Sequence, residues 1–268
     1  MQPPPAGERY GEGGPPGGHG GSAPAARGDH GELRGIGAEV NEVTRVPENL
    51  ALVRERIAAA AERSGRDPGG IVLVAVSKNV PDDLVMEAAE AGQRVFGENR
   101  AQELTGRLKR LGAGLEWHFI GHLQRNKVNM VVGRVALIHS VDSERLLEAI
   151  HERARGIDVV QDVLLQVNVT GEASKFGLAE EEVAGLLEKA RSLPNVRVRG
   201  LMTMAAFAED PEEARPCFRR LRELREMLEG EGEGAGLEIL SMGMTQDFEV
   251  AVEEGANMLR VGTAIFAR

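Results

Sequence analysis

Seven consecutive residues, Ile71-Val72-Leu73-Val74-Ala75-Val76-Ser77, carry no charge, and five of them are Val, Ile or Leu. A short apolar run without alternation predicts a strand buried on both faces, the kind found in parallel sheets. Similar runs predict strands over 94–96, 116–120, 135–139, 163–169, 196–203, 237–241 and 258–263. Apolar residues at helical spacing predict helices between them, over 82–92, from the Gly97-Glu98-Asn99-Arg100 turn to about 111, and over 143–155, 180–192, 211–228 and 248–254. One further helix, 48–63, precedes the first strand and carries Leu50, Val53, Ile57, Ala58 and Ala61 on one face. Eight strands alternating with helices in about 230 residues imply a (β/α)8 barrel. Its last helix is missing or very short, and the 48–63 helix can cover the gap. An open, doubly wound sheet is the alternative. It would usually place a glycine-rich phosphate turn after its first strand, where this chain has Ser77-Lys78-Asn79-Val80.

Residues 1–38 follow a different pattern. Glycine and proline supply 18 of these 38 positions. Such a segment buries too little apolar surface to offset its ordering entropy, so a disordered tail over 1–38 and a barrel over 39–268 are expected. Deleting residues 1–30 should leave the melting temperature unchanged, because almost no large apolar side chain precedes Leu33. A clear fall in a calorimetric scan would show that the tail packs on the barrel.

Composition narrows the function. The 268-residue chain has a formal net charge of −10 and no long basic stretch, which argues against nucleic acid or an anionic membrane as partner. No apolar run reaches the roughly 18 residues of a membrane span, and the N-terminus lacks a signal-peptide core. The single cysteine, Cys217, allows no internal disulfide and no cysteine-based zinc site, and fits a reducing cytoplasm. No metal site is expected, and the acidic run Glu212–Glu233 reads as a solvated helix face and loop.

The active site of such a barrel lies at the C-terminal ends of its strands. There the sequence places Lys78, Asn99, His122, His139, Asn168, Met202, Thr203, Ser241 and Gly262-Thr263. Lys78 is one of only five lysines. At the rim of a core, burial would disfavour its charged form, and a neutral amine can attack an aldehyde. His118, inside a strand, reads as a hydrogen-bonded core residue. Ser241-Met242-Gly243-Met244-Thr245 and Arg260-Val261-Gly262-Thr263 fall after strands seven and eight, where barrels often bind phosphate. Glycine lets the backbone approach closely, and the hydroxyls donate to phosphate oxygens. An amine beside a phosphate cradle fits pyridoxal phosphate, and it also fits a Schiff-base aldolase acting on a sugar phosphate.

Seven colinear strings resemble one family: Val74-Ala75-Val76-Ser77-Lys78, Phe96-Gly97-Glu98-Asn99-Arg100, Trp117-His118-Phe119-Ile120-Gly121-His122-Leu123-Gln124, Asn168–Gly177, Gly200-Leu201-Met202-Thr203-Met204, Ser241-Met242-Gly243-Met244 with Asp247-Phe248, and Arg260–Phe266. They are similar to those of the pyridoxal phosphate homeostasis proteins, whose single barrel resembles the N-terminal domain of alanine racemase. The resemblance covers about residues 40–268. It implies that Lys78 holds pyridoxal 5'-phosphate as a Schiff base and that Asn99 lies beside it. It implies that Ser241, Gly243, Gly262 and Thr263 form the phosphate site and that Arg260 faces the pyridine nitrogen. Lys175 would contact or relay cofactor. The expected function is buffering and delivery of cofactor to apo-enzymes by a cytoplasmic monomer with no catalysis of its own. An amino-acid racemase or related enzyme is the alternative. The Gly/Pro tail departs from the family pattern, as does an end at Phe266-Ala267-Arg268, where a few more residues are expected.

Overall fold

The computed structural model describes residues 45–112, 114–172, 175–230 and 236–267. The expected tail at 1–38 lies outside the described residues. Eight parallel strands close into a barrel in chain order: β1 Val72–Val76, β2 Val95–Glu98, β3 Glu116–Phe119, β4 Leu137–Val141, β5 Gln161–Gln166, β6 Val196–Met202, β7 Ile239–Ser241 and β8 Met258–Val261. β8 pairs with β1 through Val74↔Arg260 and Ala75↔Val261, which closes the sheet and excludes the open alternative.

The uninterrupted apolar runs have a direct cause, since both faces of each strand are buried. Val74, Leu137, Leu164, Met202 and Met258 pack together inside the barrel. Their chain neighbours Ala75, Ile138, Leu165, Leu201 and Leu259 join a second cluster beneath the surrounding helices. Alternate side chains therefore serve two cores. At Gly200 the β5–β6 register shifts by one residue. Its φ is +158°, and a Cβ there would lie 1.9 Å from the Ile239 carbonyl oxygen, so the irregularity requires glycine.

The helices are α1 Val46–Arg63, α2 Asp82–Glu90, α3 Ala101–Arg110, α4 Val128–Val131, α5 Glu144–Gly156, α6 Glu180–Arg191, α7 Arg215–Gly230, α8 Phe248–Glu253 and α9 Thr263–Phe266. The eighth strand is thus followed by a single turn, α9. As expected, α1 covers it. Asn49 Nδ2 donates to the carbonyls of Ile265 and Ala267, each at 3.1 Å. Arg56–Glu249 at 3.0 Å and Arg63–Glu253 at 2.9 Å tie α1 to α8. Apolar spacing predicts no helix between β3 and β4, whereas α4 lies there. It is one turn long, too short for apolar periodicity to register.

Three strands start two residues from their predicted positions: β4 and β7 later, β5 earlier. β4 runs to Val141, so His139 sits mid-strand inside the barrel rather than at its end. β5 begins two residues early, at Gln161-Asp162, because the Asp162 carboxylate is satisfied by Arg197 at 2.7 Å and Arg199 at 2.9 Å. β5 ends at Gln166, so Asn168 lies beyond the strand.

Candidate functional site

A cavity of about 430 Å³ opens where the C-terminal strand ends meet, within the size range of small-molecule sites. Four of the expected residues line it: Asn99, Arg260, Gly262 and Thr263. Asn99 follows β2. Its backbone N–H donates to Glu98 Oε1 at 2.7 Å, which fixes the chain there. Its side-chain Oδ1 is buried with no hydrogen-bond partner. A buried acceptor left unpaired is costly, so this oxygen marks a place for a donor from a ligand.

Arg260 leaves β8 toward the same cavity and is 4% exposed. One N–H from Nη1 donates to Ser241 Oγ at 2.6 Å, and one from Nη2 to the Thr203 carbonyl at 2.8 Å. Burial pushes its pKa down to about 10, against the opposing pull of Asp247. It therefore remains a cation at neutral pH and only donates. Asp247 precedes α8, lines the cavity and accepts the Met244 N–H at 2.6 Å. Desolvation raises its pKa. Ser241 ends β7 fully buried, and its hydroxyl is shared between Arg260 and His139 Nδ1, the latter at 2.9 Å. Gly243 lies in the loop after β7 at φ +93°, and a Cβ there would stand 2.6 Å from Ala251 Cβ. A side chain larger than hydrogen would push that loop off α8.

Lys78 follows β1 and is exposed, not enclosed at the rim. Its position is set by backbone. The Val80 N–H donates to the Ser77 carbonyl at 3.0 Å, closing a four-residue turn with Lys78 and Asn79 at its centre. Asn79 has φ +58°, a conformation that asparagine tolerates better than most residues. Beneath the turn lies Arg107 of α3, 4% exposed. Its Nη2 donates to the carbonyls of Ser77 at 2.8 Å and Val80 at 2.6 Å. Its Nε reaches the fully buried Glu98 at 3.0 Å, and its Nη1 reaches Asp82 at 2.7 Å.

The remaining candidates fall elsewhere. Lys175 pairs with Glu172 at 3.0 Å. His122 pairs with Asp142 at 3.1 Å and stacks on the Phe176 ring, with centroids 3.9 Å apart. Asn168 Nδ2 donates to the Glu172 carbonyl at 2.9 Å, the work of a turn former. His118 is buried and hydrogen-bonded, as read from the sequence. Among the described residues no group of three or more His, Cys, Asp or Glu side chains could hold a metal ion, and no helix is long and apolar enough to cross a membrane.

Thr245, from the string after β7 read as a phosphate loop, and Asp247, from a family string, also line the cavity, whereas no sequence expectation pointed to the Arg107–Glu98 pair. Glu98 adjoins Asn99 in a quoted string, so a signal existed. The ordinary amphipathic setting of Arg107 in α3 offered none.

Residues 49–267 match the family described as alanine racemase, N-terminal domain. The chain is 49% identical over 220 residues to the pyridoxal phosphate homeostasis protein of Aquifex aeolicus, covering 82% of this chain and 96% of that one. It is 43% identical over 226 residues to the protein of the same name from Pseudomonas aeruginosa, covering 84% and 96%. Among solved structures, PipY of Synechococcus elongatus with pyridoxal phosphate bound superposes with a TM-score of 0.73 at 34% identity, over 83% of this chain and 100% of that one. Alanine racemase of Corynebacterium glutamicum, at 17% identity and a TM-score of 0.65, shares the fold.

Proposed function

The chain belongs to the pyridoxal phosphate homeostasis proteins, built on the alanine racemase N-terminal domain, and from that premise we propose that it binds pyridoxal 5'-phosphate covalently through Lys78, as a Schiff base, and holds it for delivery to apo-enzymes. The observation that carries this is the unpaired, buried Asn99 Oδ1 in a cavity whose wall also holds the buried cation Arg260. Both groups need a partner that the protein does not supply in full, and a polar heteroaromatic phosphate fits them. Pyridoxal phosphate brings an aldehyde that accepts a primary amine. Lys78 supplies that amine from a turn held by backbone hydrogen bonds. Gly262 and Thr263 present the start of α9 to the phosphate, with Gly243 and Ser241 behind them. Arg260 donates to the pyridine nitrogen and, having no proton to give up in this range, keeps that nitrogen unprotonated. An unprotonated ring draws electrons weakly, which suits a holder better than a catalyst. The same reading places the protein in the cytoplasm as a monomer.

The direct test is the visible spectrum of protein purified with the cofactor. An imine band that disappears on borohydride reduction is the expected result. Its absence in protein saturated with pyridoxal phosphate would exclude covalent binding, and would favour an aldolase that uses Lys78 alone.

The holding role has its own test. Racemisation removes a proton from one face of a substrate and returns it to the other, so two acid–base groups must flank the cofactor. The sequence has one tyrosine, Tyr10, outside the described residues. His122 is engaged by Asp142 and Phe176. Holo-protein incubated with L-alanine should therefore form D-alanine no faster than free cofactor does, as followed by chiral chromatography. Turnover on the order of 10 per second, a typical enzyme rate, would instead establish a racemase.

A further inference from the structure

One file of polar side chains crosses the apolar barrel interior. It begins at Glu116, half exposed at the start of β3, whose Oε1 lies 2.9 Å from His118 Nε2. His118 Nδ1 lies 3.0 Å from His139 Nε2, and His139 Nδ1 lies 2.9 Å from Ser241 Oγ. Ser241 Oγ accepts from Arg260 at 2.6 Å, and Arg260 lines the cavity at the opposite end of the barrel. His118, His139, Ser241 and Arg260 are all buried.

The two ends fix the direction of every bond. At the outer end, the hydrogen bond from His118 holds the Glu116 carboxyl below its usual range, so it is ionised and only accepts. His118 Nε2 therefore carries a proton. At the inner end Arg260 only donates, so the Ser241 hydroxyl turns its own proton toward His139 Nδ1. His139 is neutral: burial, above all, holds its pKa well below the ordinary value. With Nδ1 accepting, its one proton sits on Nε2 and points at His118 Nδ1. An imidazolium at His118 would reverse the sequence and leave the buried Ser241 proton without an acceptor. All four hydrogen bonds thus run one way, from guanidinium to carboxylate. Bonds aligned in this manner polarise one another.

We propose that His118 and His139 are positioning residues, which orient Ser241 and through it fix the guanidinium plane of Arg260 at the cavity, with Glu116 as the outer anchor. Neither imidazole touches the cavity. For the alignment of Arg260 with a pyridine nitrogen, the proposal rests on the cofactor reading above; the hydrogen-bond file itself does not.

Two measurements test it. The first uses cofactor-free protein with 15N-labelled histidine at neutral to mildly alkaline pH. Two-bond proton–nitrogen correlations should show both imidazoles neutral and protonated on Nε2, with signals assigned through His118→Asn and His139→Asn. A proton on Nδ1 of His139, or an imidazolium at His118, overturns the proposal whether or not the cofactor binds. The second compares His139→Leu with His139→Asn in pyridoxal phosphate titrations followed by absorbance. Asparagine can place its amide oxygen near the Nδ1 position and still accept from Ser241, while leucine cannot. Leucine should weaken binding on the order of tenfold, the value of about one net hydrogen bond, and asparagine should restore most of it. Equal affinity in wild type and His139→Leu, or an asparagine variant as weak as the leucine one, would show that the file only packs the interior. A wild-type protein that fails to bind pyridoxal phosphate refutes the function instead, and leaves the tautomer result to decide the file.

Discussion

Lys78→Ala protein should emerge folded, with an unchanged melting temperature, and without covalent pyridoxal phosphate. The fold survives because Lys78 is exposed and its side chain holds nothing in place. The turn around it is built from the Ser77 and Val80 backbone and the Arg107 side chain. Exposed substitutions of this kind usually stay within about 0.5 kcal/mol. The cofactor should be lost because the Schiff base is proposed on Lys78, and the other four lysines stand elsewhere in the fold. Lys109 lies on α3 and Lys127 in the turn before α4. Lys175 is paired with Glu172. Lys189 is paired with Glu144 at 3.0 Å and Glu148 at 2.8 Å. Lys78→Arg keeps the charge but offers no primary amine, so it should behave like the alanine variant. Borohydride reduction of wild-type holo-protein followed by peptide mass spectrometry should find the adduct on Lys78. An adduct mainly on any other lysine would overturn the assignment.

The barrel was legible because burial on both strand faces leaves a strong trace. A run such as Val72–Val76 has no polar side to confuse it, and eight such runs with helices between them fit one architecture. Boundaries were less legible where polar residues belong to a strand interior. β4 continues past His139 to Val141 because the barrel supplies His139 with partners from β3 and β7, which no local pattern announces. The candidate site was legible at the level of strand ends. Four of the residues read from the sequence line one cavity, and their convergence follows from closure of the sheet. Burial of Lys78 was expected from its strand and is not found, because the chain turns at Asn79 and leaves the side chain outside. The supports of the site were not legible. Arg107 and Glu98 are nine residues apart on different elements, and an arginine inside a helix ordinarily reads as solvated.

The largest loss of stability is expected at Arg107. Its guanidinium bonds to the fully buried Glu98 at 3.0 Å, to Asp82 at 2.7 Å and to two carbonyls of the Lys78 turn. Arg107→Met keeps the apolar stem and removes the charge. It leaves the Glu98 carboxylate buried, with only the Asn99 N–H at 2.7 Å and the Ser77 hydroxyl at 3.3 Å as partners. Breaking a buried ion pair from one side costs about 3–5 kcal/mol. At about 2–4 °C per kcal/mol for a domain of this size, the melting temperature should fall by roughly 6–20 °C. Adding Glu98→Gln removes the stranded charge while keeping an oxygen for the Asn99 N–H, so the double variant should regain a large part of that loss. Cofactor affinity should not recover with it, because the Ser77 and Val80 carbonyls still lack the donor that holds the Lys78 turn. Thermal unfolding by circular dichroism and a pyridoxal phosphate titration on the same two variants separate the effects. If Arg107→Met melts within about 2 °C of wild type, less than one kcal/mol on this scale, the pair does not carry the load assigned to it. If the double variant recovers affinity together with stability, the turn is held by something other than Arg107.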